Sequence, residues 1–177
     1  HYIGVLWNTL SLTLIKIGFR HRMTGQWNYL RPQKVKSMTR THVFIIADIE
    51  GSSECRNRQA SRFLGRGWAR ACREMTRDVN AVATALFEAG AKRVCVQDFH
   101  RTGYNLMQAG LHPKIELHQG YCRGPIPGMG NPEGFDCLMM LGMHAPSGST
   151  GFIAHTLTSR IAKIEVNNTL VSEAQLF

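Results

Sequence analysis

Between His42 and Asp98 the chain lays down an apolar run, a long helical repeat and a second apolar run, and few folds accept that order. Val43-Phe44-Ile45-Ile46-Ala47 is apolar and partly β-branched without alternation, the pattern of a strand covered on both faces. From Trp68 onward Cys72, Met75, Val79, Val82, Ala83, Leu86 and Phe87 recur at steps of three and four. That spacing predicts a helix with one face on a sheet, and places Arg70, Arg73, Glu74, Arg77 and Asp78 on its solvated sides. Gly90 follows where a helix takes up left-handed backbone to end. Val94-Cys95-Val96 is a second short buried strand. Strand, long helix and strand make a βαβ unit, so the two strands are expected to be parallel.

The remaining elements extend this plan. Ile115–His118 and Cys137–Leu141 read as further strands, and Asn105–Ala109 as a helical turn. Asn167-Asn168, a pair that tolerates positive φ, separates Ile161–Val166 from Thr169–Val171 and predicts a two-residue hairpin. Gly51–Gly67, with Arg56, Arg58, Arg62 and Arg66, is expected to loop over a strand end with a short helical piece. Gly124–Gly134, rich in Gly and Pro, is expected to cross the site or a subunit surface. The fold class is α/β: a mostly parallel sheet with βαβ units and a C-terminal β-hairpin.

Charge separates two regions. The chain of 177 residues carries a formal +9, yet residues 1–40 hold seven Lys or Arg and no acid. Residues 41–177 keep 14 basic and 12 acidic residues, so the part that would fold is nearly neutral and no nucleic-acid partner is expected. Residues 1–40 read as a basic leader, expected to be disordered or foreign to the domain. Val5–Phe19 is interrupted by Asn8, Thr9, Ser11, Thr13 and Lys16, so no membrane association is expected. The five cysteines at 55, 72, 95, 122 and 137 form no CxxC pair, which argues against a disulfide framework or a thiolate metal site. A reducing, cytoplasmic setting is the corresponding expectation.

The chemistry lies where the strands end. Asp48-Ile49-Glu50-Gly51 follows the first strand, Asp98-Phe99-His100 the second, and Gly142-Met143-His144 a later one. Asp48 and Glu50 are two residues apart, so on an extended backbone both side chains point to one side. Two such carboxylates repel unless a cation or proton lies between them. In open α/β sheets ligands bind beyond the carboxyl ends of the strands, where these groups would converge. Mixed carboxylate and imidazole donors suit zinc or a similar divalent ion, and this many could hold two. His155 stands apart, available as an acid/base group or simply as a polar loop residue.

The ordered set Ile46-Ala47-Asp48-Ile49-Glu50-Gly51, Asp98-Phe99-His100, Asn105-Leu106, Leu141-Gly142-Met143-His144-Ala145 and Ala154-His155-Thr156 carries a resemblance. Closed by the Asn167 hairpin and Glu173, it resembles the zinc-dependent D-aminopeptidases of the DppA type, over about residues 41–177. The resemblance implies removal of N-terminal D-amino acids, typically D-Ala, from short peptides, with two zinc ions per chain. It implies Asp48, Glu50, His100, His144 and Glu173 as metal ligands, Asp48 being shared by both ions, and His155 as the catalytic residue. It also implies a homo-oligomer, a ring-shaped decamer. Asp98 is expected to orient a ligand such as His100. Members of that family continue well beyond the position of Glu173, so residues 41–177 are expected to be the N-terminal metal-binding α/β domain of a C-terminally truncated aminopeptidase-like protein. A related dinuclear amidase or peptidase of other specificity, or a metal-binding but inactive oligomerisation domain, are the alternatives.

Overall fold

The computed structural model describes residues 4–6, 41–120, 128–156 and 161–176. Five strands, β1 (Gly4–Leu6), β2 (His42–Ala47), β3 (Arg93–Asp98), β4 (Ile115–His118) and β5 (Cys137–Leu141), form one sheet in the order β1-β5-β2-β3-β4. The neighbours from β5 through β4 are parallel, and β1 adds an antiparallel edge to β5. Residues 7–40 of the basic leader lie outside the described residues. β2 is the centre: Ala47 lies level with Asp98 on one side and Leu141 on the other. The chain therefore leaves the sheet from one edge after each of these three residues, as the expected α/β plan requires.

Both faces of the sheet are covered, which is why its central strands carry unbroken apolar runs. On one face Val43, Ile45, Val94, Val96 and Met139 pack against Ala71, Met75, Val79, Val82 and Leu86 of helix α1 (Trp68–Glu88). Each buried Val, Ile, Leu or Met side chain among them contributes about 1.5–3 kcal/mol. On the other, Phe44, Ile46, Cys95 and Met140 meet Met129, with Phe135 and Ala174 at the margin. The helix ends on Gly90 at φ +103°, where Ala91 N–H donates to Leu86 O and Gly90 N–H to Phe87 O. This paired closure satisfies two carbonyls of the last turn. The hairpin of β6 (Ile164–Val166) and β7 (Thr169–Val171) turns on Asn167 and Asn168, at φ +51° and +62°, and leads into the short helix α2 (Glu173–Leu176).

Three details differ from the sequence reading, and a fourth is only partly described. Asp78 is not on the solvated side of α1: it is buried and accepts hydrogen bonds from Ser53 N–H (2.7 Å) and Ser53 Oγ (2.8 Å). The helix thereby anchors the turn that follows Glu50. Gly51–Gly67 makes successive turns without a helical piece, since its Asn57 and Ser carbonyl contacts satisfy the backbone locally. The helical turn expected over Asn105–Ala109 sits at Gln108–Gly110, because Asn105 and Leu106 N–H are taken by Asp98. Of the loop Gly124–Gly134, residues 124–127 lie outside the described residues. Met129 and Gly130 close on the second face of the sheet, against Phe44 and Gln97.

Candidate metal centre

The β2–β5 pairing continues past the strand ends. Asp48 N–H donates to Leu141 O (2.8 Å) and Gly51 N–H to Gly142 O (2.6 Å). A side chain would prevent this approach: a Cβ at Gly51 would strike the Met143 carbonyl oxygen, and one at Gly142 the Asp48 carbonyl oxygen. Gly142 also has φ +69°, backbone that glycine alone adopts without strain. Two glycines thus bring the Asp48–Glu50 segment and the Met143–His144 segment into contact.

Asp48, Glu50 and His100 form a buried corner at the ends of β2 and β3, none more than 8% exposed. Asp48 Oδ1 accepts from Glu50 N–H (3.2 Å) and lies 3.1 Å from His100 Nδ1. Glu50 Oε1 is 4.0 Å from the same nitrogen and receives Ser61 Oγ–H at 3.4 Å. Burial raises the Glu50 pKa, as does the Asp48 charge, against the opposing pull of His100, His155 and His144. For His100, burial disfavours the charged ring, but the hydrogen bond and charge of Asp48, with Glu50, outweigh it and raise the pKa. The corner is built for positive charge. Asp98 holds it from behind: its carboxylate accepts from Asn105 N–H, Leu106 N–H and Asn105 Nδ2, and Asn105 Nδ2 also donates to His100 O (2.8 Å). Asp98 thus reaches only the His100 backbone, through Asn105, while the ring itself faces Asp48.

His144 and His155 form a second corner. Their rings lie 3.7 Å apart, centroid to centroid, at 31°. His155 N–H donates to Ala145 O (3.2 Å), which ties the two loops together. Each ring spends Nδ1–H on a carbonyl, His144 on Ala145 O (3.1 Å) and His155 on Ile153 O (2.7 Å). A carbonyl can only accept, so Nε2 is the lone-pair nitrogen of each neutral ring. His155 Nε2 lies 3.4 Å from Glu50 Oε2. Ile153 adopts φ +48°, an outlying conformation for a β-branched residue, held where its carbonyl aims His155.

Among the described residues, two groups bring their donor atoms within 4.8 Å of one another: Asp48, Glu50 and His100, and Glu50, His144 and His155. Glu50 is common to both, whereas the resemblance gave the shared role to Asp48. Glu173 is buried at the start of α2 but belongs to neither group. His155, expected as catalyst alone, has a donor atom in the second group. The residues fit a metal. Asp48 Oδ2, Glu50 Oε2, His100 Nε2 and His144 Nε2 are buried without a hydrogen-bond partner, a costly state that a cation among nitrogen and oxygen donors would relieve. Sequence reasoning placed Gly142 in a strand-end motif but not its close approach to Asp48, and it missed Ile153, because a collision between distant segments and a positive φ at a β-branched residue have no sequence signal.

A cavity of about 710 Å³ opens beside these groups, lined by Glu50 and His155 among others. The family model for D-aminopeptidases (peptidase family M55) matches residues 41–177. A D-aminopeptidase of Bacillus subtilis (strain 168) is 26% identical over 134 residues, covering 76% of this chain and 49% of the relative. The solved structure of a Zn-dependent D-aminopeptidase, DppA from Bacillus subtilis, described as a self-compartmentalizing protease, superposes with a TM-score of 0.63 at 27% identity. That match covers 74% of this chain and 48% of the solved one, so the chain spans about half the length of the relatives it matches. The strand-end acids and histidines, the parallel sheet that gathers them and the match over residues 41–177 agree: the chain belongs to the D-aminopeptidase family.

Proposed function

We propose that the chain carries the metal centre of a zinc-dependent aminopeptidase that removes N-terminal D-amino acids, of the D-Ala type, from short peptides. The observation that carries the reading is the pair of donor groups joined at Glu50 and opening on a cavity. Asp48, Glu50 and His100 would hold one ion, and Glu50, His144 and His155 a second. Zinc bound there supplies Lewis-acid polarisation of the scissile carbonyl and acidification of water.

The chain's own residues do the rest. The Asp48 and Glu50 carboxylates, fixed at the end of β2, offset the positive charge without rearrangement. His155, its Nδ1–H held by Ile153 O, presents Nε2 at the cavity and can take up or deliver a proton there. By its position it is the candidate acid/base residue as well as a candidate ligand.

The proposal extends to a homo-oligomer, decameric as the resemblance implies, and to a reducing, cytoplasmic setting, which the buried free thiols of Cys55, Cys72 and Cys95 support. Among the described residues no helix is long and apolar enough to cross a membrane. The test is zinc analysis with turnover of D-Ala-D-Ala and L-Ala-L-Ala by the full-length protein. About two zinc per chain and preferential cleavage of the D form are expected. Less than one zinc rejects the dinuclear centre, and equal or preferential cleavage of the L form rejects D specificity.

A further inference from the structure

The cavity beside the metal centre contains two cations that no described residue neutralises. Arg58 and Arg101 both line it, together with Glu50 and His155. Arg56 and Arg70 both pair with Glu54, at 2.6 and 2.9 Å, whereas Arg62 and Arg66 of the same loop do not line the cavity. Among the described residues Arg58 and Arg101 make no ion pair. Glu50, the acid in the same cavity, already faces His100 and His155.

Arg101 is also placed by strained backbone. It follows His100 directly and adopts φ +49°, a left-handed conformation that disfavours any residue with a Cβ. The loop holds it there from both sides, since His100 O accepts from Gly103 N–H (3.0 Å) and from Asn105 Nδ2 (2.8 Å). Arg58 arrives from the turns after β2. Two segments distant in sequence therefore deliver guanidinium groups to one cavity, and a guanidinium is the side chain best shaped to bind a carboxylate through two hydrogen bonds.

Resting on the aminopeptidase reading, the geometry points to Arg58 and Arg101 as specificity-determining residues that bind the free C-terminal carboxylate of a short peptide whose N-terminal residue lies at Glu50 and His155. The cavity, about 710 Å³, has room for a ligand of a few residues. Phe152, Ile153 and Ile161 supply an apolar wall suited to small apolar side chains, which leaves the chain terminus as the anion to be read. The preference that follows is for peptides with a free C-terminus.

The test compares D-Ala-D-Ala with its C-terminal amide and with D-Ala-D-Glu amide, using zinc-loaded full-length protein. Wild type is expected to favour the free acid over the D-Ala-D-Ala amide by about tenfold or more in kcat/KM, mainly through KM. Arg58→Met and Arg101→Asn should each shrink that ratio several-fold; Asn is chosen because it tolerates left-handed backbone. A wild-type ratio near one, or a ratio unmoved in both variants, overturns the proposal. D-Ala-D-Glu amide matching the free acid would show a side-chain carboxylate being read, and overturns the C-terminal assignment. If no peptide is turned over, the aminopeptidase reading fails instead. Calorimetric binding of the same peptides then tests the cation pair alone, and a free acid bound no tighter than its amide overturns it.

Discussion

Asp48, Glu50 and His100 hang directly from the ends of β2 and β3, each under a tenth exposed, with Asp98 and Asn105 fixing the histidine from behind. His144 and His155 are carried by loops after β5, aimed by backbone carbonyls, and the His155 side chain is 43% exposed. The first corner is held by the sheet that also provides the core. The second depends on two close-packed glycines and on the strained Ile153. A rigid, buried corner suits holding charge, and a half-open one suits proton exchange and contact with substrate.

The largest effect should come from the residue at which the corners meet. Glu50→Ala is expected to lose all bound zinc, while His144→Ala retains the metal of the acid corner, read as metal content per chain after dialysis. If Asp48→Ala empties both corners and Glu50→Ala only one, the shared role belongs to Asp48, as the resemblance implied. Next, His155→Ala should lower kcat by about 10²–10⁴. Zinc retained alongside that loss identifies an acid/base residue; zinc lost with it identifies a ligand.

Gly142→Ala attacks the junction between the corners. Its left-handed φ and the collision with the Asp48 carbonyl should destabilise the fold by about 2 kcal/mol or more. Calorimetry should show the melting temperature falling by about 4–8 °C. Ile153→Gly separates aim from stability. Relief of strain and the added chain entropy should nearly offset each other, within about 1 kcal/mol, while kcat falls because His155 is no longer held. An unchanged kcat would remove Ile153 from the site.

The smallest effect lies at the opposite edge of the sheet. Hydrogen bonds from His42 N–H and Thr41 N–H hold the Asp136 pKa below its ordinary 3.8. A lowered folded pKa favours the folded state above the unfolded pKa, and that advantage disappears as pH falls through the folded value. Asp136→Asn should therefore lower stability slightly near neutrality, with the difference closing in acid. A difference that persists in strong acid would show that charge is not its source.

The range of each interaction decided how much of this was legible in sequence. The run Val43–Ala47, the helical repeat from Trp68, Gly90 and Asn167-Asn168 determined their own elements, because burial period and φ preference are local properties. Ending several strands in acids and histidines located the site, because parallel strands deliver their carboxyl ends to one edge. Asp78 escaped the same reasoning: its burial depends on Ser53, 25 residues away. Tertiary structure alone decided that Glu50, not Asp48, belongs to both donor groups, and that Arg58 and Arg101 face one cavity. The first fact arises from loop backbones packed against one another at Gly51 and Gly142, the second from two loops distant in sequence, and such contacts are set by where the chain returns in space, which no residue encodes by itself.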